Sequence, residues 1–283
     1  MTANENVTRT VLVTGATGRT GGRVAEAARA AGLEVRAASR SGAVRFDWAD
    51  PATWDAALDG ADGAYLAYPS DIGAPDAAPA VGALARRAVE LGVTRLVLLS
   101  ARGEDQARPA EEAFLAAGGR ATVLRCAWFH QNFSEGPLAE QVGGPELVFA
   151  APPELREPFL DVRDIADVAV AVLRDPAGRW AGRALDLTGP ELLTWGEALA
   201  AVAAATDTEK AYVGVPAAAY GDALRGFGVP EEEVGFLVEL FETLLDGRNA
   251  ALSGDVERVL GRAPRRFSEF AARAASAGAW KRA

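Results

Sequence analysis

Three features of this sequence could do chemistry: a glycine series at Gly15, Gly18 and Gly21, an arginine between two serines at Ser39-Arg40-Ser41, and a single histidine, His130. The glycines lie in Val11-Leu12-Val13-Thr14-Gly15-Ala16-Thr17-Gly18-Arg19-Thr20-Gly21-Gly22. The apolar run ending in Thr14 reads as a buried strand, and a helical pattern (Val24, Ala27, Ala28, Ala31) is expected from Arg23 to a stop at Gly32. A strand, a glycine turn and a helix N-terminus make a phosphate site. Gly15 permits the tight turn, Gly18 lets the backbone approach a pyrophosphate, Gly21 lets helix pack on strand, and the free N–H groups and positive dipole end face the anion. Thr17, Arg19 and Thr20 occupy the same turn and join the glycines as cofactor-binding candidates. The spacing is GxxGxxG, not GxGxxG.

Arg40 comes just after the second expected strand, where NAD-binding proteins place a carboxylate on the ribose 2′-OH. No carboxylate stands there. A guanidinium flanked by hydroxyls suits a 2′-phosphate through charge-assisted hydrogen bonds, so NADP(H) is the expected cofactor; the alternative is a solvated loop charge.

A reductase that protonates an alkoxide with a tyrosine needs a lysine four residues later to lower the phenol's pKa. The residues four beyond Tyr65, Tyr68, Tyr212 and Tyr220 are Pro69, Ile72, Pro216 and Leu224, so that pair is absent. No GxSxG elbow accompanies His130 to make a hydrolase triad. Two options are left: hydride transfer without a built-in strong acid, or cofactor binding without reaction. An iminium needs only hydride, and a quinone or enone can take its proton from water. His130 is the one candidate acid in the expected site region, against the alternative of a partly buried polar residue at a helix start. Trp128, Phe129 and Phe133 are candidate walls of an aromatic substrate pocket, or core, and Asn132 could hold substrate or cofactor through its amide.

The elements that must position these residues alternate. Strands are expected at 33–38, 43–46, 63–68, 95–101 and 121–125 after the first, with helices between them at 51–58, 79–91 and 109–117. Asp50 reads as an N-cap with Pro51 at the first helical position. Ligands sit at the carboxyl ends of such strands, which makes Asp47 and Trp48, then Ala67, Tyr68 and Pro69, then Ser100 cofactor-binding candidates. Regularity falls away after Phe133. The later expected elements are a strand at 147–150, a helix at 165–173 capped by Asp164 and a strand at 184–188 returning to the sheet. A capping box at Thr194 and Glu197, an edge strand at 212–215 and helices broken at Gly226, Gly247 and Gly261 complete the chain. The expected fold is α/β: a Rossmann-type doubly wound parallel sheet over residues 1–133, with a smaller C-terminal α/β substrate-binding lobe over 134–283, of which about 158–188 returns to the core.

Composition narrows the partners. With 283 residues, 49% of them hydrophobic, the chain can bury a sizeable core, and its net charge of −10 with two lysines disfavours nucleic acid. No apolar run is long enough for a membrane span and Met1 to Thr10 is polar, so a cytoplasmic protein with no membrane contact is expected. One cysteine and one histidine exclude an internal disulfide and disfavour a metal site. A small molecule is the expected partner, and nothing in the sequence speaks to the oligomeric state.

Read together, GATGRTG, FDW at Phe46 to Trp48, LVLLSA at Leu96 to Ala101, LRCAWFHQNF at Leu124 to Phe133, PFLDVRDIADVA at Pro158 to Ala169 and LTGPELLTWGEA at Leu187 to Ala198 resemble the NmrA-like atypical short-chain reductases. WFHQNF, GPELLTW, GFGVPEE and DVERVLGRAPRRFSEFA resemble the festuclavine dehydrogenase type within that group. The resemblance spans almost the whole chain and implies a Rossmann domain, NADP(H), and reduction of an iminium or related conjugated substrate. Cys126 and His130 depart from it, since proline and methionine are common there. The leading expectation is an NADPH-dependent reductase of a small aromatic or polycyclic metabolite, acting on C=N, conjugated C=C or quinone. The alternatives are a non-catalytic NADP(H) redox sensor and a carbonyl reductase using His130 as acid.

Overall fold

The computed structural model describes residues 10–69 and 71–281; the polar stretch Met1 to Thr10 therefore lies, but for Thr10, outside the described residues. The chain divides into two compact units, one of residues 1–126, 162–187 and 254–262, the other of 127–161, 188–253 and 263–283. The sequence pattern puts the boundary at 133; residues 127–133 group with the second unit, and 254–262 with the first.

In the first unit the elements run β1 (Thr10–Thr14), α1 (Arg19–Ala30), β2 (Glu34–Ser39), β3 (Val44–Arg45), α2 (Trp54–Leu58), β4 (Gly63–Leu66), α3 (Ala77–Glu90), β5 (Arg95–Ala101), α4 (Arg108–Ala116) and β6 (Arg120–Cys126). The second unit then supplies α5 (Ala139–Gly143), β7 (Glu146–Phe149) and β8 (Arg156–Glu157). The chain returns to the first unit as α6 (Val162–Arg174) and β9 (Arg183–Leu187). Seven parallel strands order as β3-β2-β1-β4-β5-β6-β9. Strand order reverses between β1 and its neighbours β2 and β4, and such a switch point opens a crevice at the carboxyl ends of the strands. Buried Val11, Leu12, Val13, Leu96, Val97 and Leu98 have no exposed surface, as expected of strands covered on both faces. Helices α1 and α6 pack together, as do α3 and α4.

Several element ends differ from the sequence reading. Helix α1 starts at Arg19, not Arg23, so Gly21 and Gly22 lie inside it; a low-propensity glycine pair concealed the first turn, and tertiary packing overrides propensity. Helix α6 starts at Val162, so Asp164 is not its cap. It lies in the first turn, wholly buried, where it accepts a 2.8 Å bond from Arg262. Residues 51–53 form a 3₁₀ turn ahead of α2, with the Asp50 carboxylate accepting from Ala52 N–H.

In the second unit, β10 (Leu193–Thr194) pairs antiparallel with β8. Helix α7 (Trp195–Thr206) comes next, opened by the capping box of Thr194 and Glu197, and β11 (Ala211–Gly214) pairs parallel with β7. Helices α8 (Ala217–Gly226) and α9 (Glu231–Leu244) pack on each other. After α10 (Asp255–Leu260) in the first unit, α11 (Phe267–Ser276) packs on α7. Phe133, Phe149, Phe159, Trp195 and Phe267 form the centre of this unit's core.

Candidate functional site

The carboxyl edge of the parallel sheet is built from the β1 turn outward. Thr14 is buried, and its hydroxyl receives Ala67 N–H at 2.9 Å, tying the end of β1 to the end of β4. Gly15 takes φ +62°, which L side chains resist, and its carbonyl receives Gly18 N–H at 2.8 Å. Gly18 is the N-cap of α1 and has no side chain to satisfy the first-turn N–H groups. Those groups and the positive end of a 12-residue helix stand open to an anion. At Gly21 a side chain would collide with the Gly15 carbonyl and stand 2.8 Å from the Thr14 oxygen. The close helix–strand approach read from the sequence is thus a geometric requirement. Thr20 is nearly buried beneath this turn, facing the buried Tyr65 phenol, whose pKa burial drives upward. Thr17 is exposed and Arg19 half-buried at the mouth.

Register carries Arg40 to the same edge. Thr14 pairs with Ala38, Ala16 N–H donates to the Ala38 carbonyl, and Arg40 stands two residues further on, exposed, with no partner among the described residues. Beyond it, the ends of β3 and β4 bring Trp48, Ala67 and Tyr68 together. The Trp48 indole N–H donates to the Ala67 carbonyl at 3.1 Å, and its ring meets Tyr68 edge-on at 5.1 Å. Partial burial, and then the neighbouring Asp76, push the Tyr68 phenol up to about 12. Pro69 is exposed beside this pair. Asp47 is occupied with its own turn: its carboxylate receives Ala49 N–H and its carbonyl receives the Trp54 indole N–H.

Ser100 is drawn the other way. It is buried, and its hydroxyl donates to Glu111 Oε1 of α4 at 2.6 Å. Glu111, 2% exposed, also receives the Arg125 guanidinium through Nε at 2.9 Å and through a shorter bond from Nη2. No sequence signal marks this network, because its members come from β5, α4 and β6 with no fixed spacing.

A second buried carboxyl lies in the β5–α4 loop. Glu104 packs over Gly73 so closely that a side chain at Gly73 would strike it. Burial first, then the neighbouring Asp71 carboxyl, then the charge of Glu111, push its pKa from 4.5 to about 8. Between about pH 4.5 and 8 the folded chain therefore holds a proton that the unfolded chain has released. The resulting stabilisation is complete below the lower value and lost as pH rises to the upper one. Glu104→Gln, neutral throughout, is expected to flatten that decline and to be more stable than wild type at about pH 9. Urea denaturation across the window checks this, and parallel declines in both proteins would refute it.

In the second unit, residues 128–133 separate into two groups. Trp128 and Phe129 are half-buried, and Trp128 lies edge-on to Phe149 and Trp195. His130 is 1% exposed between the rings of Phe267 and Phe270. Its Nε2 lies 2.9 Å from the Phe159 carbonyl, an acceptor only, so Nε2 carries the proton. Nδ1 faces Asp161 at 3.8 Å, and Asp161 is itself held by Gln131 at 3.0 Å and Arg273 at 3.1 Å. The histidine ties the 130–133 turn to the strand-like segment 159–161. Phe133 is wholly buried and stacked on Trp195, and the Asn132 N–H closes the turn onto the Phe129 carbonyl. Cys126, at the end of β6 in the first unit, is buried with its thiol pKa driven up. Among the described residues no cluster of three or more His, Cys, Asp or Glu is placed to hold a metal, and no helix is long and apolar enough to cross a membrane.

Comparison with known proteins adds relatives of nearly equal length. A model described as the NmrA-like family matches residues 7–271. An uncharacterized oxidoreductase, YesF, of Bacillus subtilis is 32% identical over 272 residues, covering 93% of this chain and 94% of the relative. The agroclavine dehydrogenase of Claviceps fusiformis is 30% identical over 282 residues, covering 92% and 96%. Among solved structures, the Citrobacter sp. triphenylmethane reductase complexed with NADP(H) superposes with a TM-score of 0.75 at 18% identity, over 94% of this chain and 99% of that one. That last likeness bears on the fold.

Proposed function

The chain belongs to the NmrA-like family, and from that premise we propose that it is an NADPH-dependent reductase delivering hydride to a C=N, a conjugated C=C or a quinone of a small aromatic metabolite. The observation that carries the proposal is the carboxyl edge of the sheet: an α1 N-terminus without a side-chain cap, a turn in which a side chain at Gly21 collides with backbone, and an exposed Arg40, without a partner among the described residues, two residues past the strand position paired with Thr14. These residues fit a dinucleotide with a 2′-phosphate. The pyrophosphate would take the α1 N–H groups, Arg40 the 2′-phosphate, and Trp48, Ala67 and Tyr68 the adenosine side. Relatives named as an oxidoreductase and a dehydrogenase, matched along their length, support the reading.

Bound NADPH would supply the hydride. The chain's own part is to bind, orient and exclude water, because it has no Tyr/Lys pair and because His130 is enclosed with Nε2 engaged by a backbone carbonyl. We assign His130 to holding its turn. An iminium becomes an amine on gaining hydride alone; a quinone also takes a proton, which water can provide. Reduction of an unactivated ketone, which needs a strong positioned acid, is the poorest fit.

The test is NADPH consumption by the purified protein with an iminium, an enone and a quinone. Turnover of at least one is expected. Binding of NADPH without turnover across the panel would overturn the reductase reading in favour of a redox sensor. The cofactor assignment has its own check: Arg40→Ala is expected to weaken NADPH binding by about tenfold or more while changing NADH little, as loss of a charge-assisted bond worth about 1.5–3 kcal/mol requires. Equal weakening of both cofactors would remove the 2′-phosphate role.

A further inference from the structure

Two polar donors of the second unit lie at an aromatic cluster with no acceptor among the described residues, one enclosed within it and one at its solvent-reachable rim. Trp195 is wholly buried, and its indole N–H has no acceptor among the described residues. Buried donors are rarely left so, since each costs about 1–3 kcal/mol. Tyr220 of α8 is half-buried, lies edge-on to Phe149 at 5.5 Å and to Phe241 at 5.8 Å, and its hydroxyl has no partner among the described residues. Phe149 and Phe241 are also the neighbours of Trp128, at 5.9 and 6.2 Å, so Tyr220 and Trp128 flank one aromatic platform. By contrast, the other tyrosine of this unit is spent on the fold: the Tyr212 hydroxyl donates to the Ala151 carbonyl at 2.6 Å.

We propose that this platform binds a planar aromatic substrate carrying a hydrogen-bond acceptor, and that the Tyr220 hydroxyl donates to that acceptor. The inference rests on the reductase reading for any reaction after binding, but the binding itself is separately measurable. Rings favour rings in edge-on or offset contact, and a phenol that a bound ligand would shield from water discriminates between a ligand that accepts its hydrogen bond and one that does not. Burial raises the Tyr220 pKa, which keeps the phenol a donor rather than a phenolate.

Menadione and 2-methylnaphthalene share a ring system and differ in two carbonyl acceptors. Equilibrium dialysis of the full chain is expected to show menadione held about fivefold or more tighter, and Tyr220→Phe is expected to bring that ratio to within about twofold, as loss of one hydrogen bond predicts. Tyr212→Phe, whose hydroxyl serves the fold, should leave the ratio at the wild-type value. An unchanged ratio in Tyr220→Phe, or no binding of either probe to wild type, overturns the assignment. Failure of wild type to consume NADPH with any panel substrate sinks the reductase reading and leaves the dialysis result standing on its own.

Discussion

Gly21→Ala is expected to weaken NADPH binding by about 30- to 100-fold and to lower the melting temperature of the unliganded protein. The added methyl would meet the Gly15 carbonyl carbon at 2.7 Å and the Thr14 oxygen at 2.8 Å, with the Gly15 oxygen nearer still. All three are backbone atoms of a turn that has little room to move. Gly15 sits at φ +62°, its carbonyl accepts Gly18 N–H, and Thr14 is tied to Ala67. The remaining response is for the first turn of α1 to lift from β1, which carries the N–H groups away from the position where a pyrophosphate would meet them. Overpacking of this kind costs about 1–3 kcal/mol, and a binding loss of about 2–3 kcal/mol corresponds to the expected fall in affinity. Gly22→Ala is the natural control, because its nearest contact, Ala16 O at 3.3 Å, asks for a much smaller adjustment. Fluorescence titration with NADPH and thermal unfolding in its presence and absence would decide the matter. Wild-type affinity in Gly21→Ala would mean that this turn does not hold the cofactor.

The same glycine shows how far the sequence could be read. Its requirement for a residue without a side chain was legible because strand, glycine turn and helix succeed one another locally. Where α1 starts was not, because Gly21 and Gly22 weaken the helical signal just where packing against β1 favours the helix. The parallel sheet was legible for the same local reason: each strand is a short apolar run bounded by turn residues, and β9 could be assigned to it from Ala184 to Thr188, close to the observed Arg183–Leu187. Side-chain partners across elements were not legible. As a residue type His130 suggests an acid, and its environment comes from Phe159, Asp161, Phe267 and Arg273, which no spacing rule links to it. The strand end alone makes Ser100 a candidate for ligand contact, and the bond from its hydroxyl to Glu111 on the next helix has no sequence signal. Tyr220, in a segment read only as broken helix, gains its meaning from Phe149 and Phe241.

The Glu111 network sets the other large expected effect. Glu111→Ala is expected to destabilise the protein by about 3 kcal/mol, because it strips a buried guanidinium partner rather than a surface charge. Arg125 is three-quarters buried, with its side chain 23% exposed, and gives both Nε and Nη2 to the carboxylate; Arg108 adds a 3.4 Å contact and Ser100 a 2.6 Å bond. Losing the carboxylate takes from Arg125 the acceptor of both its Nε and its Nη2 bonds, at the point where β5 and β6 pair Ser100 with Arg125. Ser100→Ala removes only one neutral donor from a carboxylate that keeps its arginines, so it should cost about 1 kcal/mol. The pair should be strongly non-additive, with Ser100→Ala costing less in the Glu111→Ala background, since groups sharing one network couple. Urea denaturation of the two single variants and the double variant measures this. Because the network stands on the carboxyl edge between β5 and α4, the Glu111→Ala change should also reach the cofactor, whereas Ser100→Ala should leave NADPH affinity near wild type if its hydroxyl serves Glu111 alone. A large loss of NADPH affinity in Ser100→Ala at unchanged stability would instead return Ser100 to direct contact with the cofactor.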